Sequence, residues 1–181
     1  VDKICHRMEL GKDTYTLGKI RPEMEEELCR VLADFVRIME GYRVDAYRAM
    51  ASSAISEAAN SLYVLGKIRQ LTGLSVTVLS NSEQRFLGYK ALAAMEDNFN
   101  KVIEKGTAIL DLDGGSFQIS LFDKDALVTT QNIRMGSLRV RERLAGIQSE
   151  TEHYEEMVEE LIWNEVSSFK KMYLKDRKIE N

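Results

Sequence analysis

From Met24 onward the apolar residues Leu28, Val31, Leu32, Phe35, Ile38, Met39 and Tyr42 recur at three- and four-residue steps. That period lines one face of an α-helix with hydrophobic side chains. Pro22 suits the first helical position, where its missing N–H costs nothing, and Gly41 marks the end. Glu23, Glu25, Glu26 and Glu27 crowd the first turns, which favours the positive end of the helix dipole. The stripe predicts core packing rather than a ligand box. Ahead of it, residues 3–10 and 15–17 read as short strand pieces around a Gly11-Lys12-Asp13 turn. Behind it, residues 46–51 read as a strand running into Ser52-Ser53-Ala54. Helix signals resume near Glu57, with Leu62, Leu65, Ile68 and Leu71 as the apolar face and Gly73 as the stop. Residues 75–79 are a β-branched strand, and Ser80-Asn81-Ser82-Glu83 is a helix start of capping type. That helix runs to about Glu96, with Phe86, Leu87, Leu92 and Met95 partly buried; residues 96–105 read as a loop or a frayed helix end.

The period then changes to two. Residues 108–112 form an apolar run carrying Asp111 near its end, followed by the turn Asp113-Gly114-Gly115-Ser116. Beyond the turn, Ile119 and Leu121 alternate with Gln118 and Ser120 as strand residues do. Asp123-Lys124-Asp125 predicts a second turn, and residues 127–133 a third strand. Two glycines between strands let backbone N–H groups converge on one small space, because no Cβ blocks φ > 0 or close approach. Phosphate is the usual occupant of such a nest, and Asp111 beside it could hold a metal ion or order a water. Gly114-Gly115 as a plain hairpin turn is an equal alternative at this point. Gly136-Ser137-Leu138 then turns into an Arg-rich helix over 139–144. A last helix spans 152–174 with Met157, Leu161, Val166 and Phe169 on its apolar face.

Strands alternate with helices over the first hundred residues and then form a meander, which predicts an α/β fold of two lobes divided near 101–106. The ranges expected are 1–103 and 104–181. Parallel strands joined by helices place ligands at their carboxyl ends, and the turns at Ser52, Ser80 and Asp113 all follow such ends. One cleft lined by the three is the prediction.

Composition narrows the function classes. Hydrophobic residues make up 44% and charged residues 30%, as in globular proteins. The 25 basic against 29 acidic side chains give a net charge of −4 and no nucleic-acid footprint. No apolar run reaches the ~18 residues of a membrane span, and no signal peptide is visible; a cytoplasmic protein is expected. Cys5 and Cys29 lack metal-ligand spacing, and His6 and His153 lack triad or zinc partners.

Four segments, in order, carry a resemblance. Residues 50–60, MASSAISEAAN, resemble the A-T-S-A-x-R-x-A-x-N segment of the exopolyphosphatase / guanosine pentaphosphate phosphohydrolase family. Residues 78–85, VLSNSEQR, are similar to its I-S-G-x-E-E-A-R segment, and residues 111–118, DLDGGSFQ, to its D-x-G-G-G-S-T-E phosphate loop. Gly136-Ser137-Leu138-Arg139 resembles the L-G-A-V-R turn that follows. The match covers nearly the whole chain. It implies two ribonuclease-H-like lobes facing each other across a phosphate-binding cleft, as in the actin, sugar-kinase and chaperone-ATPase superfamily. It also places Val1 past the family's first phosphate loop, so that the first lobe lacks its initial hairpin and the second is incomplete. The implied activity is metal-dependent removal of the terminal phosphate of polyphosphate or pppGpp. The implied roles are Glu83 as the carboxylate that activates water, Ser53, Gly114, Gly115 and Ser116 as phosphate contacts, and Asp111 and Asp113 as ligands of Mg²⁺. The expected partner is a polyphosphate or guanosine polyphosphate, with a homodimer as an option and neither nucleic acid nor membrane.

The departures from the family pattern fall on chemical positions. The family Arg is Ser56, so a fixed cation with bidentate reach is gone. The first loop glycine is Asp113, and the closing loop Glu is Gln118. Aligned without a gap from Ser80, Gln84 takes the place of the water-activating carboxylate, and an amide cannot accept that proton. With a one-residue deletion Glu83 takes it and Arg85 matches the family Arg, an alignment favoured because both match together. Three outcomes stay open: a divergent working phosphohydrolase, a degenerate member that binds a phosphorylated ligand or partner without turnover, and a structural lobe that kept only the fold.

Overall fold

In the computed structural model, which describes residues 2–145, 153–175 and 178–181, residues 10–17 form helix α1 (Leu10–Leu17) rather than strand pieces around a turn. Gly18 ends it in the left-handed region at φ 70°, its N–H donating to Thr14 O at 3.0 Å. The alternation misled because the helix is fixed by distant partners. Thr14 Oγ1 donates to Ala54 O at 2.6 Å, and the Asp13 carboxylate, 1% exposed, accepts from Arg21. Then follow α2 (Pro22–Gly41), β1 (Ala49–Ala51), α3 (Ser53–Ser56), α4 (Ser61–Thr72) and β2 (Val76–Val78). β1 pairs parallel to β2 with Ala49 opposite Val76 and Ala51 opposite Val78. The first strand is thus shorter than the 46–51 expected. On α4 Ile68 is buried and Leu65 packs on the core as expected, but Leu62 and Leu71 are 85% and 58% exposed, and Val64 is buried with Ile68 against Ile20, Cys29, Ile55 and Leu74.

Contacts divide the chain into two compact units, Val1–Ser82 and Glu83–Asn181. The division falls in the first turn of α5 (Asn81–Met95), earlier than the 103/104 boundary read from the sequence. The reason is visible in the second unit, where α5 packs on that unit's own strands. The Tyr89 ring meets Phe122 edge-on at 5.2 Å, and Tyr89 OH bonds Ser120 Oγ at 2.6 Å. Phe86, Leu87, Leu92 and Met95 are 60%, 43%, 40% and 84% exposed, so Tyr89 does the packing expected of them. Residues 99–104, read as loop or frayed end, form α6 (Phe99–Glu104), which buries Ile103.

The meander folds as its period of two predicts. β3 (Thr107–Leu112), β4 (Phe117–Asp123) and β5 (Ala126–Ile133) make an antiparallel sheet in that order, with Asp111 opposite Gln118 and Gln118 opposite Asn132. Ile119 and Leu121 point to one face, where α7 (Ser137–Leu144) and α8 (Tyr154–Tyr173) supply Val140, Leu144 and Phe169. Phe122, on the opposite face, meets Tyr89 of α5 and Phe99 of α6. Covered on both faces, β4 is buried from Gln118 through Phe122. The last helix was expected from 152; residue 152 lies outside the described residues, and α8 starts at Tyr154.

The Asp13–Arg21 pair gives the first unit an acid-sensitive joint. Arg21 Nε donates to both carboxylate oxygens at 2.9 and 3.0 Å, and Arg21 N donates to Oδ2 at 3.0 Å. Burial alone pushes the Asp13 carboxyl up, but the Arg21 hydrogen bonds and charge, with Lys12 nearby, hold it below the usual carboxylate range. A folded-state value below the unfolded one (~3.9) adds stability at and above that pH, which is lost as pH falls through the folded value. Protection of the α4 amides against hydrogen exchange, relative to their intrinsic rates, is therefore expected to fall below about pH 4 in the native chain. Asp13→Asn should remove that acid limb. Identical pH profiles for the two chains would refute the assignment.

Candidate loop site beside helix α5

Residues 113–116 close the hairpin between β3 and β4, with Asp113 N donating to Ser116 O at 3.0 Å. The hairpin reading describes this loop, and two of its N–H groups converge on a side chain of the loop itself. Gly115 N and Ser116 N donate to one oxygen, Asp113 Oδ1, at 2.7 and 2.6 Å. The other oxygen, Oδ2, accepts from Gln84 Nε2 of α5 at 3.1 Å. Such short N–H···O⁻ contacts are the stronger class of hydrogen bond.

Neither Gly114 nor Gly115 has the positive φ that the sequence allowed. A Cβ on Gly114 would stand 3.4 Å from Leu138 Cβ, an ordinary van der Waals contact. The 136–139 turn backs the loop closely. Ser137 N donates to Asp113 O at 2.9 Å, Arg139 N to Gly114 O at 3.0 Å, and Arg139 Nε to Gly115 O at 2.8 Å. The loop carbonyls are thereby tied back to α7.

Gln84, half-buried, bonds to the loop, and Glu83 lies exposed in the same turn of α5. Asp111 is exposed at the end of β3, alongside Gly88 of α5, whose added Cβ would lie 3.8 Å from Asp111 Oδ2. A cavity of about 240 Å³ opens there, lined by Arg85, Tyr89, Asp111, Gln118 and Ser120 among others. Sequence reasoning missed the polar chain beneath it: Tyr89 OH to Ser120 Oγ, Ser120 Oγ to Thr130 Oγ1 at 3.3 Å, and Arg85 Nη1 to Thr130 Oγ1 at 3.1 Å. The available signal was the facing polar pairs Gln118/Asn132 and Ser120/Thr130 in otherwise apolar strands. In the first unit, Ser53 opens α3 and its hydroxyl shares a 2.9 Å hydrogen bond with Tyr15 OH, while Ser56 is exposed.

Mg²⁺ is commonly held by one or two carboxylates, completed by water and ligand phosphate. Among the described residues no group of three or more His, Cys, Asp or Glu side chains gathers to hold a metal ion. Both Asp113 oxygens already accept N–H donors, which leaves Asp111 as the less committed carboxylate of the pair. No helix among the described residues is long and apolar enough to cross a membrane.

The sequence profile of the Ppx/GppA phosphatase family matches residues 1–179. A bifunctional 3-dehydroquinate synthase/phosphatase of Fusobacterium nucleatum is 20% identical over 138 residues, covering 75% of this chain and 20% of that protein. Exopolyphosphatase 1 of Mycobacterium leprae is 29% identical over 114 residues, 62% of this chain and 32% of that protein. Among solved structures, an exopolyphosphatase-like protein superposes with a TM-score of 0.77 at 18% identity, over 94% of this chain and 53% of that one. A Ppx/GppA family member from Aquifex aeolicus gives 0.61 at 21% identity, over 88% and 51%. The chain thus spans about half the length of these solved relatives and less of the curated ones.

Proposed function

The chain belongs to the Ppx/GppA phosphatase family, and on that footing we propose that it serves a phosphohydrolase that releases the terminal phosphate of polyphosphate or pppGpp. The observation that carries this reading is the convergence of Gly115 N and Ser116 N on a single oxygen, at 2.7 and 2.6 Å. Donors so placed suit a phosphoryl oxygen, and phosphoryl transfer depends mainly on positioning and charge stabilisation. Glu83, exposed in α5 next to Gln84, is the base in this reading. It takes a proton from water as the water oxygen bonds to the terminal phosphorus. The anhydride P–O bond breaks, and orthophosphate leaves a chain one unit shorter. Ser53, at the start of α3, is proposed as a phosphate contact in its own right. Mg²⁺ belongs to the proposal as a companion that offsets charge on the phosphate chain, and a cytoplasmic setting, where such ligands occur, completes it.

A second reading, binding of a phosphorylated ligand without turnover, is favoured by one contact. The side chain on the loop is the Gln84 amide, which cannot act as a base. Phosphate release from long-chain polyphosphate and from pppGpp, in Mg²⁺, by the natural gene product containing this chain separates the two. Hydrolysis that drops about 10²- to 10⁴-fold in Glu83→Gln is the expected result. Tripolyphosphate binding without release would transfer the conclusion to the second reading. Neither binding nor release would remove both.

A further inference from the structure

We propose that Asp113 is an internal occupant of the loop's oxyanion seat, so that the loop discriminates against free phosphate anions until this carboxylate is displaced. The inference rests on the reading of residues 113–116 as the phosphate seat. Its basis is geometric. The two loop N–H groups that converge do so on Asp113 Oδ1, at 2.7 and 2.6 Å, and so are spent on the chain's own anion. A local turn alone does not account for the arrangement, because a second element takes part: Gln84 Nε2 of α5 holds Oδ2 at 3.1 Å. The carboxylate is thus fixed at both oxygens, one by the loop and one by the helix. On the far side, Ser137 N and Arg139 N tie the Asp113 and Gly114 carbonyls to α7, so the loop cannot easily turn its N–H groups elsewhere.

Two effects oppose an incoming phosphate. It must break the Asp113 contacts before it can accept the same N–H groups. Until the carboxylate swings away, it must also sit beside a like charge. Two unit charges ~4 Å apart at an effective dielectric near 20 weaken binding by up to about a thousandfold, less with salt. Both effects vanish when residue 113 carries no side chain. The same residue therefore decides which form of a phosphate ligand the loop accepts.

The test is tripolyphosphate binding to the 181-residue chain and to Asp113→Gly, in chelator and in Mg²⁺. Calorimetry gives affinities, and the amide resonances of Gly115 and Ser116 report the seat itself. The native chain in chelator is expected to bind weakly, and Asp113→Gly at least about a hundredfold more tightly, with both amides shifting on titration. Intact resonances from β4 and β5 establish that the variant is folded. Asp113→Asn, which keeps an acceptor for the two N–H groups but no charge, should fall between them. Equal affinity in native chain and Gly variant, with both amides shifting, overturns the internal occupant and leaves the phosphate-seat reading standing. Weaker binding by the Gly variant in Mg²⁺ also overturns it, since Asp113 would then be part of the binding set. A folded Gly variant whose two amides never respond removes the phosphate seat and the proposal together.

Discussion

Asn60→Ala is expected to destabilise the first unit by about 3–5 kcal/mol, because one side chain satisfies three groups at once. Asn60 Oδ1 accepts from Ile20 N at 3.0 Å, and Nδ2 donates to Ile20 O at 2.8 Å and to Glu25 Oε1 at 2.8 Å. Ile20 and Glu25 are 1% and 3% exposed, so water does not readily replace what is lost. Glu25 is the costlier member. Its other oxygen is 3.4 Å from Lys67 Nζ, a pair that holds a buried charge only while its remaining lone pairs are satisfied. Leaving a buried donor or acceptor unmade costs ~1–3 kcal/mol, and more when the group is charged. Single-domain stability is only about 5–15 kcal/mol, so the variant should be close to unfolding. Asn60→Asp should be no better, since it keeps the acceptor for Ile20 N but sets a second carboxylate against Glu25. Urea unfolding followed by circular dichroism measures both, and a loss below about 1 kcal/mol for Asn60→Ala would show that the clamp is not what joins these segments.

What could be read in the sequence was what neighbours along the chain decide. The stripe from Met24 to Tyr42, with Pro22 before it and Gly41 near its end, became α2, and the alternation after Ala108 became the β3–β4–β5 meander. α1 was misread because Asp13 and Thr14 are held by Arg21 and Ala54, partners that no local period announces. On α4, apolar residues at 62, 63, 64, 65, 68 and 71 surround the helix, so the pattern fits more than one face. Packing against Ile20, Cys29 and Leu74 selects Val64 and Ile68. The loop at the site was legible from Asp113-Gly114-Gly115-Ser116, and so was its backing turn. Two features were not. Strand alternation places Asp111 and Asp113 on one side as a pair open to a shared cation, whereas the chain bends at 113 and aims that carboxylate at its own N–H groups. The choice between Glu83 and Gln84 depends on a one-residue register at the start of α5, which only the 3.1 Å contact from Gln84 to Asp113 could bring into view.

Gly136→Ala is expected to cost about 3 kcal/mol or more and to open the loop, a larger penalty than ordinary overpacking of ~1–3 kcal/mol. An added Cβ would lie 2.5 Å from the carbonyl carbons of both Gly114 and Gly115, and closer still to Ser116 N. These are backbone atoms, so no side chain can rotate away. Either the 136–139 turn or the loop must move. The turn is anchored by Val140 and Leu144, buried in the second core with Ile119, Leu121 and Phe169. The loop is held by the hydrogen bonds from Ser137 and Arg139 and by Asp113. The loop contains the fewer buried contacts, so it should yield, and Gly115 N and Ser116 N should cease to converge. That separates this substitution from Asp113→Gly, which frees the same two donors without displacing them. In tripolyphosphate titrations Asp113→Gly should gain affinity, whereas Gly136→Ala, and the double variant with it, should lose the site. Chemical denaturation gives the stability change, and the Gly115 and Ser116 amide resonances give the geometry. If Gly136→Ala keeps native stability and unshifted loop amides, the close approach of the two turns is not what shapes the seat.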